Sequence, residues 1–317
     1  MSAEKIRIVV VAVLALSLLT CIALLRPQDK HGVPESRFWN RKFSEPATFD
    51  VVAAGDSRIL YGVDPQAFED AGLGKSLNFA FKASPSNEDF YTAATERLSG
   101  QGKKILVLGI TPLGFTPSSS TSSGFSQKRD DFKASTYTIP TLYGDRIQTN
   151  IPALRFPGAI EQRFQPVKLA EIRRFATGRK NPLQETYHPN GWIESAHKKP
   201  NEDSALRFYK VRFDGNLPEL ARIETACKSL AAFIESGVHV FAFKPPVSDS
   251  MDELENEKSG FDYADFEKRF SDIGGVWIDV DASSFKTYDG SHLESKSARE
   301  FSQWLANAIK SRLKDED

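Results

Sequence analysis

The chain has 317 residues, of which 26% are charged and 40% hydrophobic, and its formal net charge is only -1. That length suits one large or two small globular domains, and the charge balance lacks the basic excess expected of a nucleic-acid-binding protein. Its two cysteines, Cys21 inside an apolar run and Cys227 far downstream, make neither a disulfide framework nor a zinc-ligand spacing, so no metal or other cofactor is expected.

Lys5 and Arg7 precede an uncharged run, Ile8 to Leu25, long enough to cross a bilayer as a helix. A cleaved signal peptide has a shorter apolar core and a small-x-small site, of which "CIA" at Cys21 to Ala23 is a poor version. "LLTC", Leu18 to Cys21, is an imperfect lipobox, because Thr20 is unusual there and the apolar run continues past the cysteine. Residues 1–25 are therefore expected to be an uncleaved signal anchor. The large domain would then be membrane-anchored and extracytoplasmic, in a periplasm or at a cell surface. Residues 26–47, with Pro27, Pro34 and Pro46 among charged side chains, read as a linker.

The domain proper is expected over 48–317. "FDVVAAGDS" is a short apolar strand ending in Gly-Asp-Ser, and "SLNFAF", Ser76 to Phe81, is a second strand. "NEDFYTAATERLSGQG" reads as a helix with Asn87 as N-cap and Gly100 or Gly102 closing it. "KKILVLGITP", Lys103 to Pro112, is a continuous apolar run of the kind a strand buried on both faces requires. Periodicity then dissolves, and 113–205 reads as an insertion or small subdomain carrying a Ser/Thr-rich loop, several prolines and the basic cluster "EIRRFATGRK". It returns with a helix over Leu217 to Gly237, the strand "VHVFAFKPP", an acidic helical stretch, the strand "GGVWIDVD" and a closing amphipathic helix "SKSAREFSQWLANAIKSRL". Helices alternating with wholly apolar strands predict an α/β fold with a mostly parallel sheet covered on both faces.

Such sheets bind ligands beyond the carboxyl ends of their strands. Ser57 and the loop "TYDGSHL", Thr287 to Leu293, are both placed there. A serine hydroxyl becomes a nucleophile when a base takes its proton, usually a histidine oriented by a carboxylate. Asp289 stands three residues before His292, close enough in a compact loop to serve it. Donors for a developing oxyanion are sought at the backbone N–H of Ser57, near Ala80 and near Thr111. The plain alternative is that Gly-Asp-Ser is a turn with its cap and that Ser291 or Ser295 caps the last helix.

"GDS" after the first strand and Asp-x-x-His before the last helix resemble the first and last signature blocks of the SGNH/GDSL hydrolases. The resemblance covers roughly 48–112 and 206–313. It implies a flavodoxin-like three-layer sandwich and the chemistry of esterases, lipases or O-acyltransferases, with Ser57 as nucleophile, His292 as base and Asp289 as its orienting acid. "LNFAF" resembles the second block, which places Asn78 beside the site and Ala80 where the family has a glycine donating to the oxyanion hole. The third block is usually Gly-x-Asn-Asp, and here "GITP" puts Thr111 at the asparagine position. Occurring together and in the family's order, the motifs favour the catalytic reading of Ser57 over the structural one.

The anchor, the altered third block and the wording "DSRILYGVDP" are similar to a membrane-anchored branch that modifies cell-surface polymers. That branch resembles polysaccharide O-acetyltransferases and proteins that move D-alanine onto teichoic acids. The resemblance implies a surface polysaccharide or other acyl ester as substrate and a membrane-bound acyltransferase as partner. Two other readings stand beside it. One is an inactive SGNH-fold binding or scaffold protein of surface-polysaccharide assembly, favoured by Thr111. The other is a ligand-binding domain in which Asp289 and His292 lie far from Ser57.

Other chemistry-bearing residues have two readings each. His239 reads as a core residue and His31 as part of the linker. His188 and His197, near Trp192, would line a groove or lie on the surface. Arg173 to Lys180 would meet an anionic polymer or lipid headgroups, or be a solvated face. Phe156, Phe164, Tyr187 and Trp192 would stack on sugar rings or form the insertion's own small core.

Overall fold

The computed structural model describes residues 35–99, 102–121, 123–135, 183–197 and 201–316, with scattered positions before 35. Most of the Ile8–Leu25 run lies outside the described residues, as do His31, Phe156, Phe164, Gly100 and the basic cluster at 173–180. Among the described residues no helix is long and apolar enough to cross a membrane. The chain divides into two units, and the elements below belong to the one formed by Glu35–Tyr137 and Pro182–Asp317.

The fold is α/β around a five-stranded parallel sheet. Its strands are β1 (Val51–Ala54), β2 (Ser76–Asn78), β3 (Lys104–Gly109), β6 (Val238–Phe243) and β7 (Val276–Trp277). A separate antiparallel hairpin is made of β4 (Leu183–Tyr187) and β5 (Ile193–His197). The sheet order is β2-β1-β3-β6-β7, with every neighbouring pair parallel. Val52 lies opposite Leu77 on one side and Leu106 on the other, and all four residues of β1 are buried. The strand order reverses direction at β1, so the crevice between the carboxyl ends of β1 and β3 is where such a sheet binds ligands.

Helices Glu88–Thr95, Leu220–Glu235 and Tyr263–Asp272 form one group that packs on β1, β6 and β7. A second group joins Ser57–Gly62 and Gln66–Asp70 to the long closing helix Ser295–Glu316. Asn87 caps the first of these helices, its side chain accepting the Phe90 N–H, but the helix stops at Thr95, short of the expected Gly100 or Gly102. β2 and β7 are likewise shorter than their apolar stretches, because "FAF" and "IDVD" leave the sheet after three and two paired residues.

One expectation is corrected. Residues 35–44, expected within the linker, form a helix whose Phe38, Trp39 and Lys42 are buried. Phe43 of that helix joins a ring cluster with Phe79, Phe81 and Phe125, so the segment contributes to the core although its prolines and charges read as a tether. Among its described residues the segment 113–205, expected as an insertion or small subdomain, holds helices Pro117–Thr121 and Gly124–Ser135 and the β4–β5 hairpin, and helix Glu202–Phe213 starts inside its expected end. Trp192 is 1% exposed, donates its indole N–H to the Tyr61 carbonyl at 2.8 Å and stacks on His188, so it anchors the hairpin and offers no open face to a sugar. His239 is half-buried in β6.

Lys42 is an unusual core residue. Its ammonium donates to the Ala80 carbonyl at 2.7 Å and lies 4.8 Å from the Phe38 ring and 5.1 Å from the Phe81 ring, with no carboxylate partner among the described residues. Burial pushes its pKa well below the ordinary lysine range. The folded chain therefore binds this proton less readily than the unfolded chain, and stability rises with pH from the folded pKa up to the unfolded value near ~10.4. Lys42→Met is expected to remove that slope while staying within about 1 kcal/mol of the wild type at neutral pH. Urea midpoints at neutral and alkaline pH check this, and an unchanged slope in the variant would assign the effect elsewhere.

Candidate active site

The turn from β1 into the helix Ser57–Gly62 depends on Gly55. A Cβ there would lie 2.5 Å from Ile59 Cγ1 and 3.1 Å from the Gly109 carbonyl oxygen. The close approach of strand and helix thus leaves room only for hydrogen. Asp56 is the N-cap: Oδ1 accepts the Arg58 N–H at 2.9 Å, and Oδ2 accepts the Thr111 hydroxyl at 2.9 Å. Ser57 is the first helical residue and faces the cleft. Its N–H has no acceptor among the described residues, as expected at a helix start.

The loop after β7 closes on itself. Thr287 bridges Leu293, and the Tyr288 N–H donates to the His292 carbonyl at 2.9 Å. Inside this turn Asp289 Oδ1 accepts the N–H groups of Ser291 at 3.0 Å and His292 at 2.8 Å. Oδ2 is left for the imidazole, 2.8 Å from His292 Nδ1. His292 Nε2 lies 2.8 Å from Ser57 Oγ. Burial pushes the Asp289 carboxyl upward, but the hydrogen bonds and charge of His292 more than offset this and hold it below the usual range. An ionised Asp289 accepts a hydrogen bond from the Nδ1–H, which holds the proton on Nδ1 and leaves Nε2 as an acceptor for the Ser57 hydroxyl. Tyr61 meets the His292 ring edge-on at 5.3 Å and Tyr288 stacks on it at 5.7 Å, so the imidazole is held on both sides.

The structure thus brings Ser57, His292 and Asp289 together from positions 235 and three residues apart in sequence. The other expected site residues take different roles. Asn78 is fully buried, donates to the carbonyls of Ile59 at 2.7 Å and Val63 at 2.8 Å, and accepts the Ala80 N–H at 3.0 Å. Its amide holds the Ser57 helix against β2, and the Ala80 N–H is already taken. The Thr111 hydroxyl is bound to Asp56, so it steadies the turn and faces no substrate.

Ala83 supplies what Ala80 does not. It lines the cleft, its N–H has no acceptor among the described residues, and its φ of +52° is in the left-handed region that glycine favours. The Gly124 N–H grips the Lys82 carbonyl at 2.8 Å from outside, where a Cβ on Gly124 would clash with that oxygen at 2.2 Å. The turn is therefore clamped, and Ser57 and Ala83, neither with an acceptor for its N–H among the described residues, line the same cleft. Ala83→Gly is expected to stabilise the chain by roughly 0.5–1 kcal/mol, since relief of left-handed strain outweighs the added backbone entropy. A thermal melt checks it, and a loss of stability would mean the strain is absent.

A second layer lies beneath, which the sequence reading missed. Arg58 is 3% exposed and forms a fork with Glu255 at 3.0 and 2.6 Å, while its Nε donates to Ser291 Oγ at 3.1 Å. Tyr209 shares that hydroxyl at 2.7 Å and lies under the guanidinium, 5.2 Å from ring centre to Cζ. One side chain, next to Ser57 in sequence, therefore ties the Ser57 helix to the Asp289–His292 loop.

Ser57, Tyr61, Ala83, Tyr288, Asp289 and His292 are among the residues that line a cleft of about 330 Å³. No family model matches the chain, and no curated protein matches it. Among solved structures it is similar to a Streptococcus pneumonia protein described provisionally as a platelet activating factor, with 12% identity, 95% of this chain and 99% of that one covered, and a TM-score of 0.37. It is also similar to a carbohydrate acetylesterase family member from Sinorhizobium meliloti, with 12% identity, 82% of this chain and 97% of that one covered, and a TM-score of 0.34. At those scores neither likeness bears on the chemistry.

Proposed function

We propose that this chain is a serine esterase or O-acyltransferase of SGNH/GDSL type. The observation that carries the reading is the line of hydrogen bonds from Ser57 Oγ to His292 Nε2 and from His292 Nδ1 to Asp289 Oδ2, each 2.8 Å. Ser57 Oγ attacks an ester carbonyl carbon while Nε2 takes its proton, and Asp289 steadies the imidazolium that forms. The carbonyl electrons move onto oxygen, facing the N–H groups of Ser57 and Ala83. His292 then returns the proton to the departing alkoxide, leaving an acyl-serine. Water, or a sugar hydroxyl activated by the same histidine, releases the acyl group.

The anchored, extracytoplasmic setting, the surface-polysaccharide ester and the membrane-bound acyltransferase partner belong to this proposal as its finer part. They rest on the apolar run Ile8–Leu25 and on the resemblance of the motifs. The test is reaction of the full-length chain with a fluorophosphonate and mass-spectrometric reading of the labelled residue. Label on Ser57, absent in Ser57→Ala and His292→Ala, supports the esterase reading. A folded chain that stays unlabelled supports the scaffold reading, which draws on the internal engagement of Thr111 and the Ala80 N–H.

A further inference from the structure

The charged side chains that line the cleft are Asp56, Lys82, Arg212 and Asp289. Three have partners. Asp56 is bound by the Arg58 N–H and Thr111, Asp289 by its own loop and His292, and Lys82 lies 3.5 Å from Glu185. Arg212 differs: its Nε is buried without an acceptor, and its guanidinium has no hydrogen bond or ion pair among the described residues. Other arginines with an idle Nε engage their terminal nitrogens, Arg97 on the Phe43 and Glu45 carbonyls and Arg129 on Asp89. Arg212 engages none. Arg212 is only partly buried and lines the cleft, so its unengaged terminal nitrogens are open to an acceptor arriving with a ligand.

The surroundings define that acceptor. Helix Glu202–Phe213 holds Arg212 with its Cζ 5.6 Å from the Phe208 ring, which orients the planar fork. Asn216 grips the Arg212 carbonyl at 2.9 Å and fixes the helix end. With Lys82 matched by Glu185, Arg212 is, among the described residues, the cation of the cleft lining that has no carboxylate partner. A planar, singly charged group satisfies both the geometry and the charge.

We propose that Arg212 is a specificity residue that binds a carboxylate on the ester substrate, so that the favoured substrates are esters of molecules that carry a carboxylate. The proposal rests on the esterase reading of the same cleft and names its substrate class. The carboxylate belongs either to the alcohol part or to the acyl part of the ester, and two chromogenic probes separate these sources. In 3-acetoxy-4-nitrobenzoate it sits on the leaving group, and in 4-nitrophenyl hemisuccinate on the acyl group. Each is compared with its neutral methyl ester.

In the full-length chain one of the two acids is expected to exceed its methyl ester in kcat/KM by about tenfold, the worth of one charge-assisted fork. Arg212→Gln removes the preference, chiefly through KM, and Arg212→Lys restores part of it. A preference equal in wild type and Arg212→Gln, or none in wild type, overturns the proposal. Binding of 3-hydroxy-4-nitrobenzoate and of hemisuccinate to Ser57→Ala protein, followed by calorimetry with and without Arg212→Gln, reads the same contact without turnover. Arg212-dependent binding by a chain that cleaves no ester would sink the esterase reading and keep the carboxylate site. Turnover of neutral esters with no Arg212-dependent binding would do the reverse.

Discussion

Alanine at Ser57 is expected to abolish fluorophosphonate labelling and to lower kcat on an aryl acetate by roughly 10⁴- to 10⁶-fold, the range seen when a triad nucleophile is removed. His292→Ala should match it, because without the Nε2 acceptor the Ser57 hydroxyl keeps its proton. The pair of changes together should cost little more than either alone, since the two side chains act as one unit. Asp289→Asn is the more telling variant. It keeps the shape of the loop yet presents no charge to Nδ1, which frees the imidazole to take the wrong tautomer, and a fall of ~10⁴ in kcat is expected. Thermal unfolding of Ser57→Ala should stay near the wild-type temperature, because among the described residues the hydroxyl's partner is His292 alone. Ester turnover surviving in Ser57→Ala would place the nucleophile elsewhere. Turnover lost in Ser57→Ala but kept in Asp289→Asn would mean that the loop, and not the charge, orients the histidine.

The parts of this site that the sequence made legible are those that local chemistry dictates. β1 is wholly apolar, and β3 and β6 are apolar but for Lys104 and His239, as strands covered on both faces require. Asn87 announces a helix because its side chain competes for the Phe90 N–H. Asp289 and His292 meet within one turn of chain, so their spacing alone predicts contact. Ser57 was placed by the Gly-Asp-Ser turn at a strand end. The parallel sheet order, in which β1 is flanked by β2 and β3, carries the rest.

What stayed hidden depends on where side chains of distant segments end up. Ala80 and Ala83 look equivalent in "FAFKAS", and only the bond from the Ala80 N–H to Asn78 and the +52° φ of Ala83 tell them apart. Thr111 stands where a donor was sought, but the position of Asp56 turns its hydroxyl inward. The helix 35–44 is masked by Pro34 and Pro46 and by charges, though Phe38, Trp39 and Phe43 fall on one helical face and form a usable signal. Arg58 and Glu255 are 197 residues apart and each looks like a surface charge beside a turn or in an acidic helix. Nothing local marks either as buried.

That buried pair leads to the second large effect. Burial alone would disfavour the Arg58 charge, and Glu255 reverses the balance, holding the guanidinium firmly protonated. Arg58→Met would leave Glu255, 1% exposed, as a buried carboxylate without its counter-charge, and Glu255→Leu would strand Arg58 in the same way. Each single change is expected to cost about 3–5 kcal/mol in denaturant unfolding. The double change, Arg58→Met with Glu255→Leu, removes both charges and should recover most of that loss. Activity should not recover with it. Ser291 Oγ loses the Arg58 donor in Arg58→Met and in the double variant, so the Asp289–His292 loop is less well fixed against Ser57. A misplacement of 1 Å at such a junction costs on the order of 10²-fold in kcat. A stable double variant with wild-type kcat would make the pair purely structural. A stable double variant with depressed kcat, still labelled slowly at Ser57, would mean that a buried charge next to the nucleophile is kept for alignment and not for stability.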